Sequence, residues 1–83
     1  MFSNEIQKWI IAWLQERNPG TEIDIEGDYY KQGLVDSFGI IELIEVLEDE
    51  FSIMFSDTDF KLPSFQTIPG LVKLISQKKQ NES

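Results

Sequence analysis

At the centre of the sequence lies the stretch Gly33-Leu34-Val35-Asp36-Ser37-Phe38-Gly39-Ile40-Ile41-Glu42-Leu43-Ile44. Asp36 is a favourable N-cap residue, and the apolar residues after it recur at the three- and four-residue spacing of a helix. The stretch therefore predicts a helix that starts after Asp36, places Ser37 in its first turn and runs to about Phe51. Its apolar stripe is expected to comprise Ile40, Leu43, Ile44, Leu47 and Phe51.

A helix is also predicted before this stretch, over residues 5–17, with Ser3 or Asn4 as its cap. Asn18-Pro19-Gly20 ends it, because proline lacks an amide donor and glycine tolerates positive φ. Its apolar face is expected to pack into the core, and the two tryptophans on that face are interpreted as core residues rather than as a ligand site. The face comprises Ile6, Trp9, Ile10, Trp13 and Leu14.

Residues 21–33 show no sustained period and predict a long loop. Its expected anchors in the core are Ile23, Ile25, Tyr29 and Tyr30.

After the central helix, Ser56 or Asp57 is expected to cap a short helical turn through Phe60. Leu62-Pro63-Ser64 interrupts the chain, and Thr67 is predicted to cap a last helix. The apolar face of that helix is Leu71, Val72, Leu74 and Ile75. The fold class is thus all-α, with three main helices, a short third helix and a long loop between the first two. We expect one domain over residues 1–83, with residues 80–83 frayed.

Composition narrows the possible functions. The chain has no cysteine and no histidine, so it lacks disulfides, the commonest general base and a thiol nucleophile, and self-contained catalysis is not expected. Its net charge of −8 disfavours nucleic acid and anionic membranes and favours basic protein surfaces. Neither a leader segment nor an apolar run long enough for a membrane span is evident, which predicts a cytoplasmic protein.

The central stretch resembles the phosphopantetheine attachment site of acyl and peptidyl carrier proteins, where an Asp-Ser pair opens the second helix and Glu-Leu follows. The resemblance extends to Glu48-Asp49-Glu50-Phe51 and to the final helix. It implies a small carrier-like helical bundle bearing 4′-phosphopantetheine, taken from coenzyme A, on Ser37, with Asp36 contributing to that site. The chain would then be a substrate of other enzymes, carrying acyl or aminoacyl groups as thioesters.

The partners that the resemblance implies are a phosphopantetheinyl transferase, an acyl- or aminoacyl-loading ligase and acyltransferases with basic docking surfaces, all acting on a monomer. Residues 33–39 look more like D-alanyl carrier proteins than fatty-acid carriers, since Gly39 stands where many of the latter have an acidic residue. This favours a specialised stand-alone carrier over housekeeping fatty-acid synthesis. The glycine also suggests close approach by the arm or by a partner backbone.

The outer face of the central helix predicts partner binding. Exposed apolar residues alternate there with acidic ones, which are expected to repel one another in the free protein and to steer basic partners. The predicted docking residues are Phe38, Ile41, Glu42, Glu45, Glu48 and Asp49. Two alternatives remain open: an unmodified acidic interaction module, and loose cation binding by these carboxylates. A tight metal site is not predicted, because Asp57-Thr58-Asp59 is not followed by the glycine and ligands of a calcium loop.

Overall fold

A computed structural model describes residues 2–80, which fold into four α-helices and a 3-10 turn. The helices are α1 (Phe2–Arg17), α2 (Ser37–Phe51), α3 (Asp57–Phe60) and α4 (Ile68–Gln80), and the 3-10 turn spans Pro63–Gln66. Within this range the chain forms no strand, although Asp28 and Thr67 make an isolated antiparallel bridge. The all-α prediction is confirmed. The predicted fraying concerns residues 80–83. It is wrong for Gln80, which is the last residue of α4, and residues 81–83 lie outside the described residues.

The three long helices share one apolar core, to which the predicted faces of all three contribute. Two contacts show that helices α1 and α2 run antiparallel. Trp9 packs edge-on against Phe51, at the end of α2, with 5.7 Å between ring centroids, whereas Arg17, at the end of α1, pairs with Glu42. Trp9 and Trp13 are half-buried at the edge of this core, in agreement with their interpretation as packing residues. The side chains with at most 1% exposure are Ile6, Ile10, Leu14, Leu43, Leu47, Ile68, Leu71 and Ile75.

The first helix starts earlier than predicted. It begins at Phe2, so Ser3 and Asn4 lie inside its first turn and neither is its cap. Both residues are exposed. Their amides can therefore bond to water, and a side-chain cap is not required to satisfy the start of the helix.

The long loop between α1 and α2 is anchored through Tyr29, as predicted. This side chain is 2% exposed, and its hydroxyl donates to the Phe65 carbonyl at 2.6 Å. Burial raises the pKa of the Tyr29 phenol far above its usual value, with a further contribution from Asp28. The prediction was wrong for Ile25 and Tyr30, which are exposed.

A local turn explains the difference between the two adjacent tyrosines. The Asp28 carboxylate accepts hydrogen bonds from the amides of Tyr30 at 2.8 Å and Lys31 at 2.9 Å. An aspartate that binds amides two and three residues ahead closes a tight turn. This turn places Tyr29 in the core and leaves Tyr30 at the surface, which a pattern of apolar residues alone could not separate.

Helix α3 is short, and the side chains of Ser56 and Asp59 stabilise its first turn. Ser56 caps it as predicted, in a reciprocal capping box with Asp59. The Asp59 carboxylate also pairs with Lys78 of α4 at 2.7 Å. Desolvation works against the charge on Asp59, but the hydrogen bonds from Lys78 and Ser56 outweigh it and hold the pKa of Asp59 below its usual value. Lys79, the residue after Lys78 in α4, donates a hydrogen bond to the Phe51 carbonyl at the end of α2.

Candidate attachment site at the start of the second helix

Asp36 caps α2, which confirms the predicted start of this helix. Its backbone is extended, and its Oδ1 accepts a hydrogen bond from the Gly39 amide at 2.7 Å. Its carbonyl oxygen accepts the first backbone bond of the helix from Ile40 at 2.9 Å. Ser37 is therefore the first helical residue, and it is exposed.

The segment that leads into the cap is held against the core. Leu34 and Val35 are buried, and the Leu34 amide donates to the Tyr29 carbonyl at 3.1 Å. The Asn18 side chain, just after α1, donates to the Leu34 carbonyl at 2.9 Å. Ser37 consequently follows a fixed segment and sits on a regular helix, so its hydroxyl is presented at a defined place on the surface.

The local electrostatics suit a phosphate ester on this hydroxyl. The first amides of a helix have no intrahelical partner, and the helix dipole makes this end positive. The Gly39 amide donates to Asp36. The amides of Ser37 and Phe38 precede it in the same turn. The Ser37 hydroxyl itself is a weak nucleophile, and the chain contains no histidine to activate it. A second protein must therefore supply the base for any transfer onto Ser37.

Gly39 has an internal explanation that the sequence did not reveal. A Cβ at this position would lie 3.0 Å from Val35 Cβ and 3.2 Å from Asp36 Oδ1. Both contacts are tighter than most van der Waals contacts of a Cβ atom. The glycine thus lets the cap fold closely over the first turn, and approach by an external group is not needed to account for it.

We expect Asp36→Ala to lower the free energy of unfolding by about 1 kcal/mol, the usual effect of losing a cap. Urea unfolding followed by circular dichroism measures this. Asp36→Asn retains an acceptor and should restore most of the loss, whereas Asp49→Ala, an exposed change on the same helix, should have little effect. Equal stability of the alanine variant at position 36 and the wild type would contradict the capping role.

The outer face of α2 exposes both apolar residues that the sequence placed there. Phe38 is 82% and Ile41 55% exposed. Glu45 and Asp49 are exposed on the same helix. These four residues form the predicted docking face, and we keep this name for them below.

The other two predicted docking residues make contacts within the chain. Glu42 forms an ion pair with Arg17, whose guanidinium lies 4.2 Å from the centroid of the Trp13 ring. Glu48 is half-buried, and its Oε2 accepts a hydrogen bond from the Phe55 amide at 2.9 Å. The expectation that all the acidic residues here simply repel one another is therefore wrong, because two of them have favourable partners on neighbouring segments.

A cleft of about 420 Å³ opens beside the first turns of α2. Ile40 contributes to it from α2, Tyr29 and Tyr30 from the long loop, Phe60 from α3 and Phe65 from the 3-10 turn. The sequence analysis missed this cleft, since its walls combine four separate segments between residues 28 and 66 that only the tertiary fold brings together. The available indication of the cleft in the sequence was the pair of aromatic residues Tyr30 and Phe60, whose exposure the structure reveals.

Two further observations concern metals and membranes. In the described part of the chain, residues 2–80, no group of three or more acidic residues is arranged to hold a metal ion. Asp59, from the segment that begins like a calcium loop, is instead bound to Ser56 and Lys78. None of the helices within these residues combines the length and apolar character that a membrane span needs.

Comparison with known proteins agrees with this geometry. Residues 8–75 match the family described as "Phosphopantetheine attachment site". The chain is similar to the D-alanyl carrier protein of Bacillus subtilis (strain 168), with 33% identity over 64 residues that cover 77% of this chain and 74% of that protein. It is 31% identical, with the same coverage, to the D-alanyl carrier protein of Bacillus velezensis. The chain belongs to the family of carrier proteins that bear 4′-phosphopantetheine and act as substrates of other enzymes.

Proposed function

We propose that Ser37 is the attachment residue for 4′-phosphopantetheine and that the chain carries acyl or aminoacyl groups as thioesters on that arm. The observation that carries this proposal is the exposed Ser37 hydroxyl in the first turn of α2, directly after the Asp36 cap. Transfer would form a phosphodiester at Ser37 Oγ, break the pyrophosphate bond of coenzyme A and release adenosine 3′,5′-bisphosphate. The hydroxyl proton would go to a base of the transferase.

Incubation with coenzyme A and a phosphopantetheinyl transferase of broad specificity tests this function. The intact mass should rise by one phosphopantetheine group. An unchanged mass, with a known carrier protein modified in the same reaction, would favour the alternative of an unmodified acidic interaction module.

Within this function we favour an aminoacyl cargo, because both relatives described above are D-alanyl carrier proteins. The modified protein can be offered D-alanine with ATP and a D-alanine-activating ligase, and in parallel a fatty acid with an acyl-activating ligase. Loading of D-alanine alone would support the aminoacyl class. Loading of the fatty acid alone would assign the chain to the acyl class.

We also propose that the docking face receives the partner enzymes in the cytoplasm, with the chain acting as a monomer. Glu45 and Asp49 supply the negative charge and Phe38 and Ile41 the apolar contact, while Glu42 is exposed but already paired with Arg17. Charged residues in such interfaces mainly set the rate of encounter and the orientation of the partners. Basic surfaces on the transferase and on a loading ligase fit this pattern.

Charge reversal at the centre of the docking face tests this role. We expect Glu45→Lys to slow modification by the transferase on the order of tenfold at low salt, because steering is lost. Added sodium chloride should slow the wild type and narrow the gap, since salt screens exposed charges. Glu5→Lys in α1 carries the same change in net charge away from this face and serves as the control. Superimposable salt curves for the variants at positions 45 and 5 would refute local steering.

A further inference from the structure

Glu48 differs from its acidic neighbours on α2 in being tied to the segment that follows the helix. Its Oε2 accepts the hydrogen bond from the Phe55 amide across seven residues, at 2.9 Å. The Phe55 side chain is 8% exposed. A carboxylate oxygen at this distance is a good acceptor, so this hydrogen bond holds the Phe55 backbone in place against α2.

Phe55 belongs to a cluster of three aromatic rings, which we call the aromatic trio. The ring centroids of Phe55 and Phe65 lie 5.5 Å apart, and those of Phe60 and Phe65 lie 5.1 Å apart, both pairs edge to face. The centroids of Phe55 and Phe60 are separated by 6.3 Å. Each ring contacts the other two, and close-packed interiors transmit displacements. A shift of Phe55 is therefore passed to both partners.

Two members of the trio form a wall of the cleft beside the start of α2. Phe60 and Phe65 line this cleft, and Phe55 packs against both of them. On the side of α4, Lys78 places its Nζ 5.7 Å from the Phe55 ring centroid and pairs with Asp59. Phe55 is thus held by its ring from α4 and by its amide from α2. The hold from α2 depends on Glu48.

We infer that Glu48 is a positioning residue for the cleft: through the Phe55 amide it fixes the aromatic wall formed by Phe60 and Phe65, and it does not serve as a docking charge. Aromatic and aliphatic side chains make up most of the walls of this cleft, and Asp28, Lys31 and Gln66 are its polar members, so a neutral apolar probe can report on the aromatic wall. This inference goes beyond the proposed function and does not depend on modification of Ser37.

The test compares two substitutions that separate the charge of Glu48 from its ability to accept a hydrogen bond. Glu48→Gln keeps an acceptor oxygen for the Phe55 amide, and Glu48→Ala removes it. Glu45→Gln and Glu45→Ala are the matched controls, since Glu45 is exposed on the same helix. All variants are studied as unmodified protein by nuclear magnetic resonance. The exchange rate of the Phe55 amide is taken relative to that of the core residue Leu43, which corrects for changes in global stability.

Glu48→Ala should raise the relative exchange rate of the Phe55 amide about tenfold, the effect of losing one net hydrogen bond. It should also shift the ring signals of Phe60 and Phe65 and change the affinity of the cleft for a neutral fluorescent probe, N-phenyl-1-naphthylamine. Glu48→Gln should retain most of the wild-type behaviour in all three measurements. Neither Glu45→Gln nor Glu45→Ala should change the exchange rate, the ring signals or the probe affinity.

Two outcomes would overturn the inference. One is wild-type exchange and ring signals in Glu48→Ala; the other is equal disruption by alanine and glutamine at position 48. The rate of modification by the transferase is a separate readout. If Glu48 is a positioning residue, Glu48→Gln should be modified at the wild-type rate. If Glu48 is a docking charge, Glu48→Gln should be modified as slowly as Glu45→Gln. If the transferase modifies none of the proteins, the proposed function fails, while the exchange data still decide the role of Glu48.

Discussion

Ser37→Ala is expected to abolish the gain of phosphopantetheine completely while leaving the fold intact. The side chain is exposed, and the cap of α2 is formed by Asp36 with the amide of Gly39, so removing the Ser37 hydroxyl breaks no described contact. Alanine is also a good helix former in a first turn. Intact mass measures the modification, and circular dichroism measures the helix content and the melting temperature.

Ser3→Ala provides the matched control, since Ser3 is an exposed helical serine on α1. This variant should gain the same mass as the wild type. If Ser37→Ala still gained one phosphopantetheine, the assignment of the attachment residue would be wrong. If it lost its helical signal, the absence of modification would reflect unfolding, and the position of the cap would have to be reconsidered.

Gly70→Ala is expected to have the largest effect on stability of any single methyl addition in this chain. An ideal Cβ at Gly70 would lie 1.7 Å from the carbonyl oxygen and 2.7 Å from the Cα of Ser64. These are backbone atoms of the 3-10 turn, and the turn cannot move freely because the adjacent Phe65 is buried in the aromatic trio. Either the turn or α4 must shift.

Overpacking of this kind lowers the free energy of unfolding by about 3 kcal/mol at the upper end of its usual range. In a domain of this size the melting temperature should fall by more than about 10 °C. Gly20→Ala is the control: no atom lies within 4 Å of its added Cβ, and only the φ of +80° opposes the change. We expect a much smaller loss there. A Gly70→Ala protein that melts at the wild-type temperature would show that the 3-10 turn yields easily.

The start of the central helix could be predicted from the sequence because its determinants are local. An aspartate three residues before Gly39, followed by apolar residues at helical spacing, is enough to place both the cap and the exposed serine. The same applies to Ser56, whose capping box with Asp59 spans only three residues. The beginning of α1 was misplaced, since an exposed helix end needs no side-chain cap and leaves no clear signal in the sequence.

The resemblance to carrier proteins likewise depended on residues within one short stretch and on the order of the helices. It pointed to the same family that the comparison of residues 8–75 identified. Residues 33–39 favoured D-alanyl carriers over fatty-acid carriers but did not establish the cargo, because cargo selection depends on surfaces of the loading enzymes as well as on this chain.

By itself the sequence determined the all-α class, the approximate helices and the Asp36 cap, because these follow from contacts between residues close in the chain. It also determined the family, which follows from one short motif and the order of the helices. Only the tertiary structure decided which partners the acidic residues of α2 meet. Glu42 meets Arg17 across the interface with α1, and Glu48 meets the Phe55 amide after the helix, whereas Glu45 meets neither. The physical reason is that helical spacing determines which side of a helix a charge occupies, but only the packing of other segments supplies its partner.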